Sequence, residues 1–522
     1  MSPLAEMLRR RRCQRDAQKA GRLEPETGEL ADAALPTRLA RLRERRSRGA
    51  ARDELLPQVF ALVREACRRA IGIRQYDVQM VGGAALARGC VVEMATGEGK
   101  TFVAPLAAAL YALDGRGVHV LTANDYLAGR DAELLEPAYR ALGLSTGAVL
   151  ADTPPAERER AYAADVTYTT VPQLGFDFLR QYFQQAPDAL RRRDLWSYLH
   201  SEIKGDSQEE RCLCGRHFAI LDEVDSILID YARRPLSISV QADSQRPVEV
   251  YHAARQFALN ALQEDRHFEV DRIRRNVELT ERGKREVGRL QSEYGYLRQM
   301  ASEWEARVEE ALSAELLFRR GEHYVLRGDQ VILVDQTSGR LMIGQHLGRE
   351  LHQALETKEG LQPSPRLQAA KSITVQALIR PYRHLAGMTG TAWEERREFR
   401  SVYDMPTVRF RPRLPLKRER QPDRIFPQSD QRWEAVAEEV AGAHAEGQPV
   451  LIGCRSVEKS RRLSEMLDER EVPHEVLNAV DHAREAEIIA GAGRRGAVTV
   501  ATNMAGRGVE IKLGEGVAEL GG

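Results

Sequence analysis

The chain of 522 residues carries no surplus of either charge: 77 Lys and Arg stand against 77 Asp and Glu. Proteins whose main task is to coat nucleic acid show a basic excess that neutralises phosphates. That class is therefore excluded as the principal function, while local basic patches are not. Long apolar runs are also missing. No window supplies the roughly 18 or more apolar residues of a transmembrane helix, and the best candidate, Phe102 to Leu113, reads as a short buried helix. Arg9 to Arg12 follow a short apolar stretch with no signal-peptide core behind them. Cysteine is scarce: Cys13, Cys67, Cys90, Cys212, Cys214 and Cys454 cannot form a disulfide framework in so long a chain. The default compartment is the cytosol. No internal repeat is visible.

Residues 1–50 are rich in Arg and Ala and read as a basic helical arm with a helix-rich entry segment. From Asp53 to Ala70, apolar residues recur at helical spacing, so this helix packs on something. A strand–helix alternation then begins, with strands expected at Val91–Met94, Val118–Thr122, Thr146–Leu150, Asp165–Thr170 and Phe218–Asp222. That rhythm indicates parallel strands with crossover helices. Residues 236–375 lose it, offering long charged helical stretches and a hairpin at Tyr324–Val334 that turns at Arg327-Gly328-Asp329. The alternation resumes at Leu385–Ala392 and again from Trp433. The expected organisation is α/β: a basic arm over 1–50; a first lobe over 51–230 plus 377–405; an inserted α+β domain over 231–376; and a second parallel-sheet lobe over 406–522.

The strongest local motif is Gly97-Glu98-Gly99-Lys100-Thr101, set after a strand and before a helix. A Gly-rich turn lets backbone N–H groups close around phosphates, and the following helix adds its positive dipole end. Lys100 would reach the β/γ-phosphates and Thr101 would ligate Mg²⁺. Met94 stands where the strict phosphate-loop pattern has Gly, so the match is to the helicase-type variant. A second motif, Leu221-Asp222-Glu223-Val224-Asp225, closes an apolar run. A carboxylate at a strand's C-terminal end can hold Mg²⁺ while its neighbour orients and deprotonates the attacking water; Asp222 and Glu223 take these roles. A solvated acidic turn is the bland reading, and the upstream phosphate loop weighs against it. The third is Asn503 to Gly508, where Arg507 would stabilise transition-state charge on a γ-phosphate.

Several segments together resemble the SecA family of preprotein translocase ATPases. They are Tyr76-Asp77-Val78-Gln79 with Gly82-Gly83, the phosphate loop, Thr122 to Leu127, Gly175 to Arg180, Asp222 to Asp230, Leu385 to Ala392 and Thr502 to Gly508. They run in the family's order from about residue 55 to the C-terminus. The resemblance implies two RecA-like lobes of a P-loop NTPase, a helicase-like motor, with a polypeptide-clamping domain inserted in the first; Gly339-Arg340 and Leu351 to Ala354 match family segments there. It also implies ATP and Mg²⁺ as cofactors, with Gln79 recognising adenine and Glu510 standing where the family has an acidic nucleotide contact. The implied partners are unfolded preprotein, a SecYEG-type channel and an anionic membrane surface met by the N-terminal basic helix, with no specific nucleic acid. A homodimer is compatible with it. The location would be cytoplasmic, peripheral to the inner face of the plasma membrane. On physical grounds alone, a run such as Arg9 to Arg12 is more often a solvated charge run.

Some positions depart from the family. Val509-Glu510 replaces Thr-Asp, which keeps the carboxylate and loses the hydroxyl; Tyr231 and Arg234 replace an acidic residue and a Thr. Cys212 and Cys214 have the spacing of two metal ligands, but no full tetrahedral set is visible, so two free thiols and no structural zinc are expected. The sequence stops at Gly522 before the arginine-rich motif and helical scaffold of the family, which leads to the expectation of a fragment, a truncated paralogue or an accessory form. Besides the translocation motor, two other readings stand: a nucleotide-binding accessory protein with weak or absent turnover, and a nucleic-acid helicase. The helicase is disfavoured by neutral charge and by an insertion of roughly 140 residues, far beyond ordinary loop lengths.

Overall fold

The computed structural model describes the chain except for residues 1–2, 186–215, 242–247, 273–275, 294–300, 335–340, 343–346, 349, 365–366, 416–418, 478–481, 503–510 and 521–522. Arg507, Glu510, Gly339, Arg340, Cys212 and Cys214, singled out above, therefore lie outside the described residues. The chain forms two compact units. Unit one holds residues 1–238 and 369–421; unit two holds 239–368 and 422–522.

Unit one is built on a seven-stranded sheet. Its strands are β1 (Val91–Glu93), β2 (Val118–Thr122), β3 (Thr146–Val149), β4 (Val166–Thr170) and β5 (Phe218–Asp222), joined by the strands His384–Thr389 and Thr407–Arg409. Across the sheet the order is Thr407–Arg409, β1, His384–Thr389, β5, β2, β4, β3. Every neighbouring pair is parallel, as the strand–helix alternation predicts. Both faces are covered, so all five residues of β2, β4 and β5 are buried. β4 reads Val-Thr-Tyr-Thr-Thr yet stays inside because its hydroxyls are paired: Thr167 donates to the Ala161 carbonyl at 2.7 Å and Thr169 to the Val149 carbonyl at 2.8 Å.

The helices are α1 (Pro3–Arg22), α2 (Glu24–Gly28), α3 (Ala34–Ser47), α4 (Arg52–Ile71), α5 (Asp77–Leu86), α6 (Ala104–Ala112) and α7 (Asp125–Ala141), with further helices after β3 and β4. The basic arm does not stand off the body: α1 lies on α4 and α5 and buries Cys13, Ala17 and Ala20. The helix expected from Phe102 begins later, because Lys100–Phe102 forms a 3₁₀ turn and α6 starts at Ala104. Gly387, in the His384–Thr389 strand, is a packing requirement. A Cβ there would lie 2.6 Å from Val224.

Unit two contains the α+β part of the insertion and the second parallel sheet. Helices Val248–Ala261, Ala301–Leu317 and Leu351–Lys358 enclose a core of Trp304, Val308, Tyr324 and Leu355. The expected hairpin is present as Tyr324–Arg327 paired antiparallel with Gln330–Val334. A strand ends at Leu279, and helices run over Glu281–Glu293 and Ala301–Leu317. Strands Val450–Cys454, Val498–Thr502 and Glu475–Leu477 lie in that order, all parallel. Trp433, Leu463, Leu467 and Val500 fill the core beside them.

Candidate nucleotide site

In parallel α/β sheets, ligands gather at the carboxyl ends of the strands. The ends of β1, His384–Thr389 and β5 are adjacent here, and the predicted residues converge on them. The loop after β1 turns through Gly97 and Gly99 at φ values of +82° and +73°, conformations costly for any residue with a Cβ. A Cβ on Gly99 would also lie 2.6 Å from Nε2 of Gln79. That side chain grips the loop, donating to the Glu98 carbonyl at 2.8 Å and the Gly99 carbonyl at 3.2 Å. Its Oε1 accepts from the Tyr76 amide at 2.7 Å, so Gln79 is fixed at the start of α5. The carboxamide expected to read a base is thus wired directly to the phosphate loop.

Lys100 opens the 3₁₀ turn, with Thr101 in its middle. The Lys100 ammonium lies 3.6 Å from Oε1 of Glu223. Glu223 follows β5 directly and has φ of +52°, a left-handed conformation that costs a non-glycine residue about 1 kcal/mol. Strain of this kind collects at functional sites. The Thr389 hydroxyl, ending the strand next to β5, donates to Oε2 of Glu223 at 3.4 Å. Beyond it, Ser226–Asp230 forms a turn of π-helix, and Oδ2 of Asp225 accepts from the Thr391 hydroxyl at 2.6 Å.

Asp222 is buried, and its Oδ1 has no hydrogen-bond partner among the described residues. Burial, and next the negative charge of Glu223, push its carboxyl up to about 7, against the opposing pull of Lys100. Lys100 pairs with Glu223 and also pulls on Asp222. An orphaned buried carboxylate oxygen of this kind fits a hard cation. Among the described residues no group of three or more His, Cys, Asp or Glu could hold a metal by itself. Any ion here would take its remaining ligands from elsewhere.

Three features escaped the sequence reading. Thr389 and Thr391 lie in the Leu385–Ala392 segment, where a strand ending in Thr-Gly-Thr was the available signal. Glu93, at the end of β1, accepts from the amides of Ala392 at 2.8 Å and Trp393 at 2.5 Å and pairs with Arg409 at 2.7 Å; it bolts three strand ends together. Arg413 lays its guanidinium 3.8 Å from the Tyr76 ring centroid. Its amide donates to both carboxylate oxygens of Glu98, at 3.2 and 3.1 Å. Nothing in the local sequence linked residues so far apart.

A family model described as the SecA DEAD-like domain matches residues 4–400, and one described as the SecA P-loop domain matches residues 415–520. The chain is 45% identical over 513 residues to the protein translocase subunit SecA of Heliobacterium modesticaldum, covering 98% of this chain and 58% of that protein. It is 44% identical over 500 residues to the protein translocase subunit SecA of Oleidesulfovibrio alaskensis, covering 96% and 55%. The chain thus spans a little over half the length of these curated relatives. Among solved structures it is distantly similar to S. cerevisiae Dbp5 bound to RNA and ADP BeF3, at 11% identity and a TM-score of 0.39, over 89% of this chain and 76% of that one.

Proposed function

The chain belongs to the SecA family, and from that premise we propose that it is the ATPase portion of a protein-translocating motor. It would couple ATP hydrolysis to movement of unfolded secretory polypeptide through a SecYEG-type channel. The observation that carries this reading is the meeting of Lys100, Asp222 and Glu223 at neighbouring strand ends. The loop of Gly97 to Thr101 would present its amides and the Lys100 ammonium to the β/γ-phosphates. Asp222 and Thr101 would hold Mg²⁺, which supplies charge neutralisation on the phosphates when bound. Phosphates arriving at Lys100 compete with Glu223 for the ammonium, freeing that carboxylate. Glu223, kept in place by its backbone conformation and by Thr389, would then accept the proton of the attacking water. Gln79 would report base occupancy to the loop it grips.

Arg507 and Glu510 keep the roles the motif suggests, as a transition-state cation and a nucleotide contact. The family reading also supports peripheral membrane association. Among the described residues no helix is long and apolar enough to cross a membrane.

The test is Mg²⁺-dependent ATP hydrolysis with an unfolded signal-bearing polypeptide or with RNA added. Stimulation by the polypeptide alone is expected. Stimulation by RNA alone would replace the reading with a helicase. Nucleotide binding without hydrolysis, unchanged by Glu223→Gln, would replace it with an accessory nucleotide-binding protein.

A further inference from the structure

At the opposite end of the same sheet lies a cavity of about 830 Å³ that the nucleotide site does not use. It opens where His384 begins its strand and where residues 87–90 lead into β1. Arginines dominate its wall. Arg46 and Arg52 both reach Asp114, each at 2.7 Å. Arg88 reaches Asp16 at 2.5 Å and Asp53 at 2.8 Å, and its Nε is buried without a partner among the described residues. These aspartates offset much of the charge of the floor. Arg380 and Arg383, both exposed, add two further charges at the mouth, and α1 contributes Arg9 and Arg12, the latter paired with Asp53 at 2.7 Å.

Two independent features mark the space as one for an anion. The first turn of α4, a helix of 20 residues, forms part of the wall through Ala51, Arg52 and Asp53, and its N-cap residue Ala51 has no side chain to accept from the free amides. A long helix start without a cap acceptor is suited to a bound anion. The wall is also rich in cations: seven arginines line it against two carboxylates, Asp53 and Asp404, and His384 there is driven down to about 4, first by burial and then by the charges of Arg52, His217 and Arg383, although Asp114 pulls the other way. A cavity of this size lies within the range of small-ligand sites. Guanidinium groups recognise phosphate in a bidentate, planar manner.

We propose that this cavity binds a small, multiply charged anion of the phosphate class, at a site separate from the nucleotide loop. The proposal does not rest on the ATPase reading, because its residues lie at the amino ends of the strands whose carboxyl ends carry that chemistry. Only the sheet connects the two.

Inorganic tripolyphosphate is the probe, titrated calorimetrically into the full chain, into Lys100→Ala and into the double variant Arg380→Ala/Arg383→Ala. Both arginines are exposed, and thermal melts of the double variant check its fold. Binding should persist in Lys100→Ala, and the component that persists there should be weaker by at least about tenfold in the double variant, through lost charge-assisted contacts, whatever tripolyphosphate the intact Lys100 loop still takes. It should also fall steeply with added salt. Binding lost in Lys100→Ala but intact in the double variant would place the anion on the nucleotide loop and overturn the proposal. No tripolyphosphate binding, together with retention on phosphatidylglycerol vesicles that needs Arg380 and Arg383, would overturn the soluble ligand in favour of a lipid headgroup.

Discussion

Replacing Asp222 by Asn should stabilise unit one while abolishing Mg²⁺-dependent turnover. In the structure the Asp222 carboxyl titrates near 7, against 3.8 when unperturbed. Between those values the native state holds a proton that the unfolded chain has released, so stability falls as pH rises through the window and levels off above it. Each pH unit of displacement is worth about 1.4 kcal/mol, which gives at most ~4 kcal/mol of destabilisation near pH 8.5 and ~2 kcal/mol near pH 5.5. Asn cannot ionise and keeps the shape, and its NH₂ can turn toward the negative charge of Glu223. For a unit of roughly 290 residues, these energies correspond to Asn-induced increases in melting temperature of about 6 °C and 3 °C. The assay is differential scanning calorimetry of nucleotide-free, Mg²⁺-free wild type and Asp222→Asn at both pH values. An equal shift at the two pH values, or a lower melting temperature for Asn at both, would refute the argument that burial and Glu223 hold this carboxyl high. Hydrolysis that survives in the variant would refute its role at the metal.

Other outcomes follow from the same geometry. Glu223→Gln should lower turnover by about 10²–10⁴ while nucleotide affinity, read by a fluorescent analogue, changes little; equal losses in both would make Glu223 a ground-state contact. The Mg²⁺-dependent part of nucleotide affinity should rise roughly 30-fold between about pH 5.5 and 8 as Asp222 loses its proton, then flatten; equilibrium dialysis with and without Mg²⁺ measures it, and a flat profile would count against Asp222 as the ligand. Gly99→Ala meets both a positive φ and a 2.6 Å approach to Gln79. It should weaken nucleotide binding by about tenfold or more while lowering the melting temperature by only about 2–3 °C, the cost of a left-handed alanine in a unit of this size. Gly387→Ala drives a methyl into Val224 and should cost about 1–3 kcal/mol in denaturant unfolding; an unchanged midpoint would show that the strand can yield.

The sequence alone determined the features that depend on neighbours along the chain. Short strand-like runs alternating with helical stretches indicated parallel strands, and fully buried strands such as Phe218–Asp222 can arise only where both sheet faces are covered. A Gly-rich turn between strand and helix marked Lys100, and a carboxylate pair at a strand end marked Asp222 and Glu223. Tertiary structure decided what distant segments do to one another. Thr389 became a partner of Glu223, and Glu93 a bolt for three strand ends, only because the strand order sets β1, His384–Thr389 and β5 side by side. Gln79 became a clamp on the phosphate loop because α5 starts beside it. The arginines scattered from Arg9 to Arg383 carry no common signal in sequence, and gathered around one cavity only when α1 lay down on the body and the chain returned to the sheet. Backbone propensity and periodicity are local and therefore legible in one dimension; proximity between elements far apart in the chain is set by which surfaces bury best against each other, and that is decided only in three.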